Sequence, residues 1–257
     1  MARKKKPLPL FEQIEITDIG AEGKAIARID DKICFVKMAA PGDIVDIQVT
    51  KKRKKYFEGR IVTFHKYSNI REEAFCKHFG TCGGCKWQHI PYSLQLEYKQ
   101  KQVEETLKRI GKTDIPAIRK ILGSVEEKFY RNKMEYTFSS HRWLSDEEIK
   151  SGTEIKDTKA LGFHVPGLFD KIVDIEKCWL QQAPGNEIRN SIRDFANKND
   201  YSFFSQREHS GLLRNLLIRT STTGELMVIV VFYKDEPDKI QNLMNHISES
   251  FPGINSL

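Results

Sequence analysis

Apolar and polar positions alternate in short runs between residues 10 and 66. "FEQIEIT" alternates, "GKAIARID" follows a glycine, and "KICFVK" is a brief apolar run. "PGDIVDIQVT" opens on a Pro-Gly turn and sets Val45, Ile47 and Val49 against Asp46 and Gln48, and "KYFEGRIVTFHK" closes the series. A period of two over runs this short, punctuated by turn residues, predicts five strands and no helix. Five such strands in under 60 residues predict a small closed antiparallel barrel, OB-like, over residues 1–70.

The pattern then changes. In "IPYSLQLEYKQKQVEETLKRI" (residues 90–110), Leu94, Tyr98, Val103, Leu107 and Ile110 recur near helical spacing, and Gly111 is a stop signal. Beyond "SVEEKFY" strand-like text returns in "YRNKMEYTFS", "KALGFH" and "DKIVDI". Residues 141–158, "HRWLSDEEIKSGTEIKDT", read as a long polar hairpin loop. "NEIRNSIRDFANKN" and "PDKIQNLMNHISESF" have helical periods, and between them "LLRNLLIRTS" and "ELMVIVVFY" flank a turn at Thr223-Gly224. The fold class expected is therefore multidomain α+β. The barrel at 1–70 precedes a mixed domain at 71–257 built on an antiparallel sheet.

Charge sharpens this division. Residues 1–71 hold 16 Lys/Arg against 9 Asp/Glu, a net of +7, which equals the excess of the whole chain. Residues 72–257 hold 26 of each sign. The blocks "ARKKK" (Ala2 to Lys6) and "TKKRKK" (Thr50 to Lys55) carry much of the asymmetry. A basic first quarter on a neutral body suits a polyanion, because cations that contact phosphates release counterions; a solvated lysine-rich loop is the plainer reading. No stretch approaches the ~18 consecutive apolar residues of a membrane helix. The basic N-terminus leads into no apolar signal region, so a cytoplasmic, reducing location without membrane contact is expected.

That expectation bears on the cysteines. "FCKHFGTCGGCKWQH" spaces Cys76, Cys82 and Cys85 as C-x5-C-x2-C, and Cys178 lies far downstream in "DIEKCWL". Structural disulfides are rare in a reducing compartment, so metal binding is the better use of clustered thiols. Structural zinc sites draw on two close ligand pairs. Three local thiols and a distant fourth match iron–sulfur layouts such as C-x4-C-x2-C…C. Iron–sulfur, zinc and unrelated cysteines all stay open on spacing alone. His78 and His89 flank the motif and would serve in place of a thiol in a zinc site, although surface histidines are commoner. Cys34, within an apolar strand, reads as a small buried hydrophobe.

"FCKHFGTCGGCKWQHIPYSLQLEYKQ" resembles the iron–sulfur segment of the bacterial RNA uracil-5-methyltransferases. "YRNKMEYTFS", "LGFHVPGLFDKIVDIEKCWLQ" and "GLLRNLLIRTSTTGELMV" match the same family in the same order, and "APGDIVDIQV" resembles the TRAM domain that opens its ribosomal-RNA members. The resemblance implies that Cys76, Cys82, Cys85 and Cys178 hold a [4Fe–4S] cluster. It also implies methyl transfer from S-adenosylmethionine to C5 of a flipped-out uridine, through a cysteine thiolate that adds to C6. The TRAM match leans towards 23S ribosomal RNA over tRNA. The family's doubly wound C-terminal domain, with its cofactor loop and Ser-Cys-Asn-like nucleophile segment, has no counterpart here. The resemblance therefore implies a chain that binds RNA but lacks the catalytic and S-adenosylmethionine-binding residues, with residues 86–115 packing on that absent domain.

RNA contacts are expected at Lys51, Lys52, Arg53, Lys54 and Lys55 for electrostatic grip. Arg131 and Lys133 are expected on one face of a strand that by resemblance borders the RNA cleft. Phe64 and Tyr67 are candidates for stacking on bases, with core packing the more ordinary role for Phe64. A monomer is expected. A non-enzymatic RNA-binding module with a structural zinc is the alternative. A radical S-adenosylmethionine enzyme is excluded, because C-x3-C-x2-C with an open iron site is absent.

Overall fold

The computed structural model describes residues 7–113, 116–153 and 158–257. The "ARKKK" block falls outside them, as does part of the polar stretch at 141–158. The chain forms two compact units. Met1–Phe75 joins Cys85–Val125, and Cys76–Gly84 joins Glu126–Leu257. This differs from the expected single boundary at residue 70, because the helical segment after Cys85 packs with the barrel and the short cysteine loop belongs to the second unit.

In the first unit, β1 (Leu10–Ile19), β2 (Ala25–Ile29), β3 (Lys32–Val36), β4 (Ile44–Lys52) and β5 (Tyr56–Lys66) close a barrel in the order β1-β2-β3-β5-β4. All five expected strands are present. The expected all-antiparallel pairing is corrected at one seam, where β3 and β5 run parallel from Ile33↔Tyr56 to Val36↔Gly59. Strand direction cannot alternate all the way round a ring of five, so one pair must run parallel. The interior is filled by inward-facing positions of each strand, among them Ile16, Ala27, Cys34, Val45, Ile47 and Phe57. Gly59 admits Ile47, whose Cγ2 would lie 2.3 Å from an added Cβ. Burial pushes the Cys34 thiol up to about 11, as the buried-hydrophobe reading expects.

Helix α1 (Tyr92–Arg109) begins after Pro91. Its first turns lay Leu94 and Tyr98 on a small cluster of Ile19, Ala40 and Ile90, and Lys101 Nζ reaches Asp18 at 2.6 Å. The apolar stripe read from the sequence is thus only half covered: Val103, Leu107 and Ile110 remain exposed.

The second unit is built on a five-stranded antiparallel sheet. Its order is β10-β9-β6-β7-β8, with β6 Lys133–Ser139, β7 Ala160–His164, β8 Ile172–Asp174, β9 Leu213–Thr220 and β10 Leu226–Phe232. Helices α3 (Gly185–Lys198) and α4 (Pro237–Ser250) contribute Ile188, Ile192, Leu243 and Ile247 to the core, beside Tyr136, Phe138 and Leu216 of the sheet. The stretch expected as an irregular loop contains a one-turn helix, α2 (Asp146–Lys150). Ser145 and Glu148 cap it reciprocally, a local hydrogen-bond pattern that outweighs the polar composition. No helix among the described residues is long and apolar enough to cross a membrane.

Candidate metal centre and nucleic-acid surfaces

The cysteine loop is shaped by its own backbone. Phe79 N–H donates to Cys76 O at 3.0 Å and Cys82 N–H to His78 O at 2.8 Å. Gly84 N–H then points at Cys82 Sγ, 3.3 Å away. Gly83 N–H donates to His164 O at 3.1 Å, fixing the loop to the end of β7. A Cβ on Gly83 would lie 2.8 Å from that carbonyl, so glycine is what permits the approach. Lys77 pairs with Glu176, two residues before Cys178.

Cys178 lies between β8 and α3, and only 7% of it is exposed. Its backbone is clamped by Asn186, whose Oδ1 accepts from Cys178 N–H at 2.7 Å and whose Nδ2 donates to Cys178 O at 3.0 Å. Behind this clamp is Arg189, wholly buried. Its Nε donates to Ile175 O at 3.1 Å, its Nη2 to Glu176 O at 2.7 Å, and its Nη1 to Asn186 Oδ1 at 2.9 Å. Its guanidinium also sits 5.0 Å from the Tyr136 ring centroid.

The thiols of this unit share one electrostatic neighbourhood. Burial raises the Cys178 thiol, the Leu180 and Gln181 amides and Arg189 oppose that rise, and a charge on Cys76 adds to it. Burial raises Tyr136 to about 12, Arg189 opposes this, and both Cys178 and Cys82 push it further up. Cys178 thus feels the charge of Cys76, and Tyr136 that of both Cys178 and Cys82. Cys85 is the residue after Gly84 and opens the next segment of the first unit.

Among the described residues, no three His, Cys, Asp or Glu side chains gather tightly enough to hold one metal ion. The donor set itself fits a multi-iron cluster: soft thiol ligands, two amides aimed at the Cys178 sulfur, and a buried cation to balance thiolate charge. His78 is half-buried, its Nε2 has no hydrogen-bond partner among the described residues, and burial pulls its pKa below the ordinary range. His89 is a buried histidine of the first unit, 3.3 Å from Ala39 O. Neither is an ordinary surface histidine.

The basic block caps the β4–β5 hairpin. Lys51 and Lys52 end β4, and Arg53, Lys54 and Lys55 make the turn, closed by Arg53 N–H to Tyr56 O at 2.9 Å. Lys51 is tied to Glu58 at 3.0 Å, whereas Lys52 to Lys55 are exposed. In the second unit Arg131 and Lys133 are both exposed. The strand begins only at Lys133, so alternation does not put the two on a common face; Asn132 is exposed as well. Lys133 instead faces Arg219 across the sheet.

Arg131 belongs with the cysteine region. Phe129 and Arg131 donate their N–H groups to Trp179 O and Leu180 O, both at 2.8 Å. Sequence reading missed the surroundings this creates. Lys177 and Lys128 lie 3.8 and 5.2 Å from the Trp179 ring centroid, beside exposed Phe129 and Tyr130. The signal was present as aromatics interleaved with lysines in "EEKFYRNK" and "EKCWL", two segments that only the fold brings together.

Residues 12–62, nearly the whole barrel, match the family model of the TRAM domain. A protein of Bacteroides thetaiotaomicron named as an uncharacterized RNA methyltransferase is 52% identical over 242 residues, 93% of this chain and 53% of that protein. The chain is a TRAM-bearing relative of the RNA methyltransferases. Another of Porphyromonas gingivalis is 47% identical over 95% of the chain and 54% of its own length. The chain thus spans about half the length of the curated relatives it matches. Among solved structures, the tRNA (uracil-54, C5)-methyltransferase of Pyrococcus abyssi, in complex with S-adenosyl-L-homocysteine, aligns with a TM-score of 0.60 at 23% identity. That alignment covers 91% of this chain and 48% of the archaeal one, and shows the shared fold. In this methyltransferase relative the barrel and the thiol-bearing unit are both regions of similarity.

Proposed function

We propose that the chain is the RNA-binding and iron–sulfur portion of an S-adenosylmethionine-dependent methyltransferase acting on C5 of a uridine in RNA. RNA methylation rests on one observation, the 52% identity to a protein named RNA methyltransferase over 93% of this chain. The uridine C5 target rests on the sequence motifs, and the fold of the archaeal neighbour is consistent with it. That neighbour is named for tRNA and aligns over 91% of this chain, so tRNA is kept as a substrate to be tested. Ribosomal RNA remains the substrate proposed first, with tRNA as the second arm of the test. The protein is proposed to act as a cytoplasmic monomer.

Cys76, Cys82, Cys85 and Cys178 would hold a [4Fe–4S] cluster. The support is that Cys178 feels the charge of Cys76, and Tyr136 that of Cys178 and Cys82, with Cys85 added by the C-x5-C-x2-C spacing. With four protein thiolates such a cluster has every iron ligated, which suits a structural tie between segments distant in sequence. The chain's own part is to supply thiolates, screen their charge with Arg189 and fix the Cys178 backbone through Asn186. Lys52 to Lys55, Arg131 and Lys133 would contact RNA phosphates, where cations position the strand without reading sequence. A non-enzymatic RNA-binding module with a zinc held by the same thiols is the alternative.

Incubation of the whole protein with labelled S-adenosylmethionine and unmodified ribosomal RNA or tRNA transcripts tests the activity, read as 5-methyluridine by nucleoside mass spectrometry. Label in neither RNA would reject the methylation reading. Iron and sulfide analysis of anaerobically purified protein decides the metal: stoichiometric zinc without iron would replace the cluster.

A further inference from the structure

At the far end of β5 from the lysine turn, Tyr67 stacks on Phe64. Their ring centroids are 4.5 Å apart and their planes 17° apart. Phe64 packs against the barrel core, while Tyr67 is 62% exposed. Single exposed aromatics are ordinary on protein surfaces. This one differs in how firmly its ring is held.

Arg71 lies 5.2 Å from the Phe64 centroid and 5.5 Å from that of Tyr67. Its guanidinium is itself locked on Asp43, by Nε to Oδ1 at 2.8 Å and Nη2 to Oδ2 at 2.6 Å. Asp43 is completely buried and also accepts from the Ala40 and Ser68 amides. Ser68, the residue after Tyr67, is buried as well, so the backbone beside the ring is fixed. The result is a flat aromatic surface whose ordering has been met in the free protein, which is what favours binding of a flat ligand. Lys66 and Arg60 are exposed on the same strand, and the first 71 residues carry a net charge of +7.

We propose that Tyr67 is a stacking platform for an unpaired RNA base. The inference rests on the RNA-binding reading and narrows it. Paired bases hide their faces in the duplex, so the occupant is a nucleotide in a loop, bulge or single strand. Phosphates on either side of that base meet the cations of β5, while Phe64 and Arg71 keep the ring in plane.

The test uses the full chain and fluorescence anisotropy with two probes: a single-stranded RNA of about 12 nucleotides, within the usual footprint of such barrels, and a blunt duplex of matching length. Tyr67→Ala should weaken single-strand binding by about 5- to 150-fold, the loss of one stacked base. It should leave duplex binding and the melting temperature unchanged, and Tyr67→Trp should restore single-strand affinity. An unchanged single-strand affinity in Tyr67→Ala would overturn the platform while leaving RNA binding in place. Equal losses on both probes would overturn it too, since that pattern belongs to a phosphate contact. Absence of binding to either probe by the unaltered chain would overturn the RNA-binding reading itself, and the platform with it.

Discussion

Asn186 holds Cys178 by both of its backbone polar groups, accepting from its N–H at 2.7 Å and donating to its carbonyl at 3.0 Å. A side chain on the first turn of α3 thus sets where a thiol eight residues upstream points. Asn186→Ala removes both partners and leaves a part-buried donor and acceptor unpaired. It should destabilise the second unit by about 1–3 kcal/mol and lower iron retention during purification. Thermal melting and iron quantification on the same sample check this; a full complement of iron at an unchanged melting temperature would contradict it.

Cys178→Ser leaves the local C-x5-C-x2-C motif intact and removes the proposed distant ligand. Less iron, faster proteolysis at residues 76–84 and weaker RNA binding are expected, because metal binding and folding are coupled. Retention of full iron and sulfide at unchanged stability would remove Cys178 from the site.

Neutralising Lys52, Arg53, Lys54 and Lys55 together should weaken RNA binding for all sequences alike. It should also flatten the dependence of log affinity on log salt, by roughly 0.7–0.9 for each phosphate that is no longer neutralised. Unchanged affinity and slope would mean that the hairpin turn is merely solvated.

The Asp43–Arg71 pair makes the barrel sensitive to acid. Burial would raise the Asp43 carboxyl, but the Arg71 guanidinium and the Ala40 and Ser68 amides outweigh burial and hold it below its ordinary 3.8. A carboxyl depressed on folding contributes stability that is complete above its unfolded value and is lost as pH falls through the folded one. The barrel should therefore hold a plateau at neutral pH and lose stability below about pH 3.8. Asp43→Asn should cost on the order of 3 kcal/mol at pH 7 and flatten that acid limb. A parallel loss in variant and parent between pH 5 and pH 2 would rule the pair out as its cause.

The barrel strands could be read from the sequence because each buries one face, and Val45, Ile47 and Val49 of β4 announce that face by alternation. The parallel seam between β3 and β5 could not, since strand order is set by closure and leaves no mark in either strand. The four cysteines stood out through spacing, yet Asn186 and Arg189 did not. A polar residue that grips a backbone looks, in sequence, like any polar residue on a helix. The stripe on α1 misled in the opposite sense: Leu94 and Val103 have the same spacing signal, and only the first is covered. Periodicity states which face is apolar and not how far along the helix its cover extends.

The two segments that carry the thiols are made at different times. Cys82 leaves the ribosome about a hundred residues before Cys178, an interval of roughly 5–20 s at about 5–20 residues per second. For most of it the loop at 76–84 lacks the carbonyl of His164 that receives Gly83, and throughout it the helix that orients Cys178 is still to be made. Its thiols spend that interval without the neighbours that position them in the fold. The proposed cluster would then close only after synthesis has passed α3.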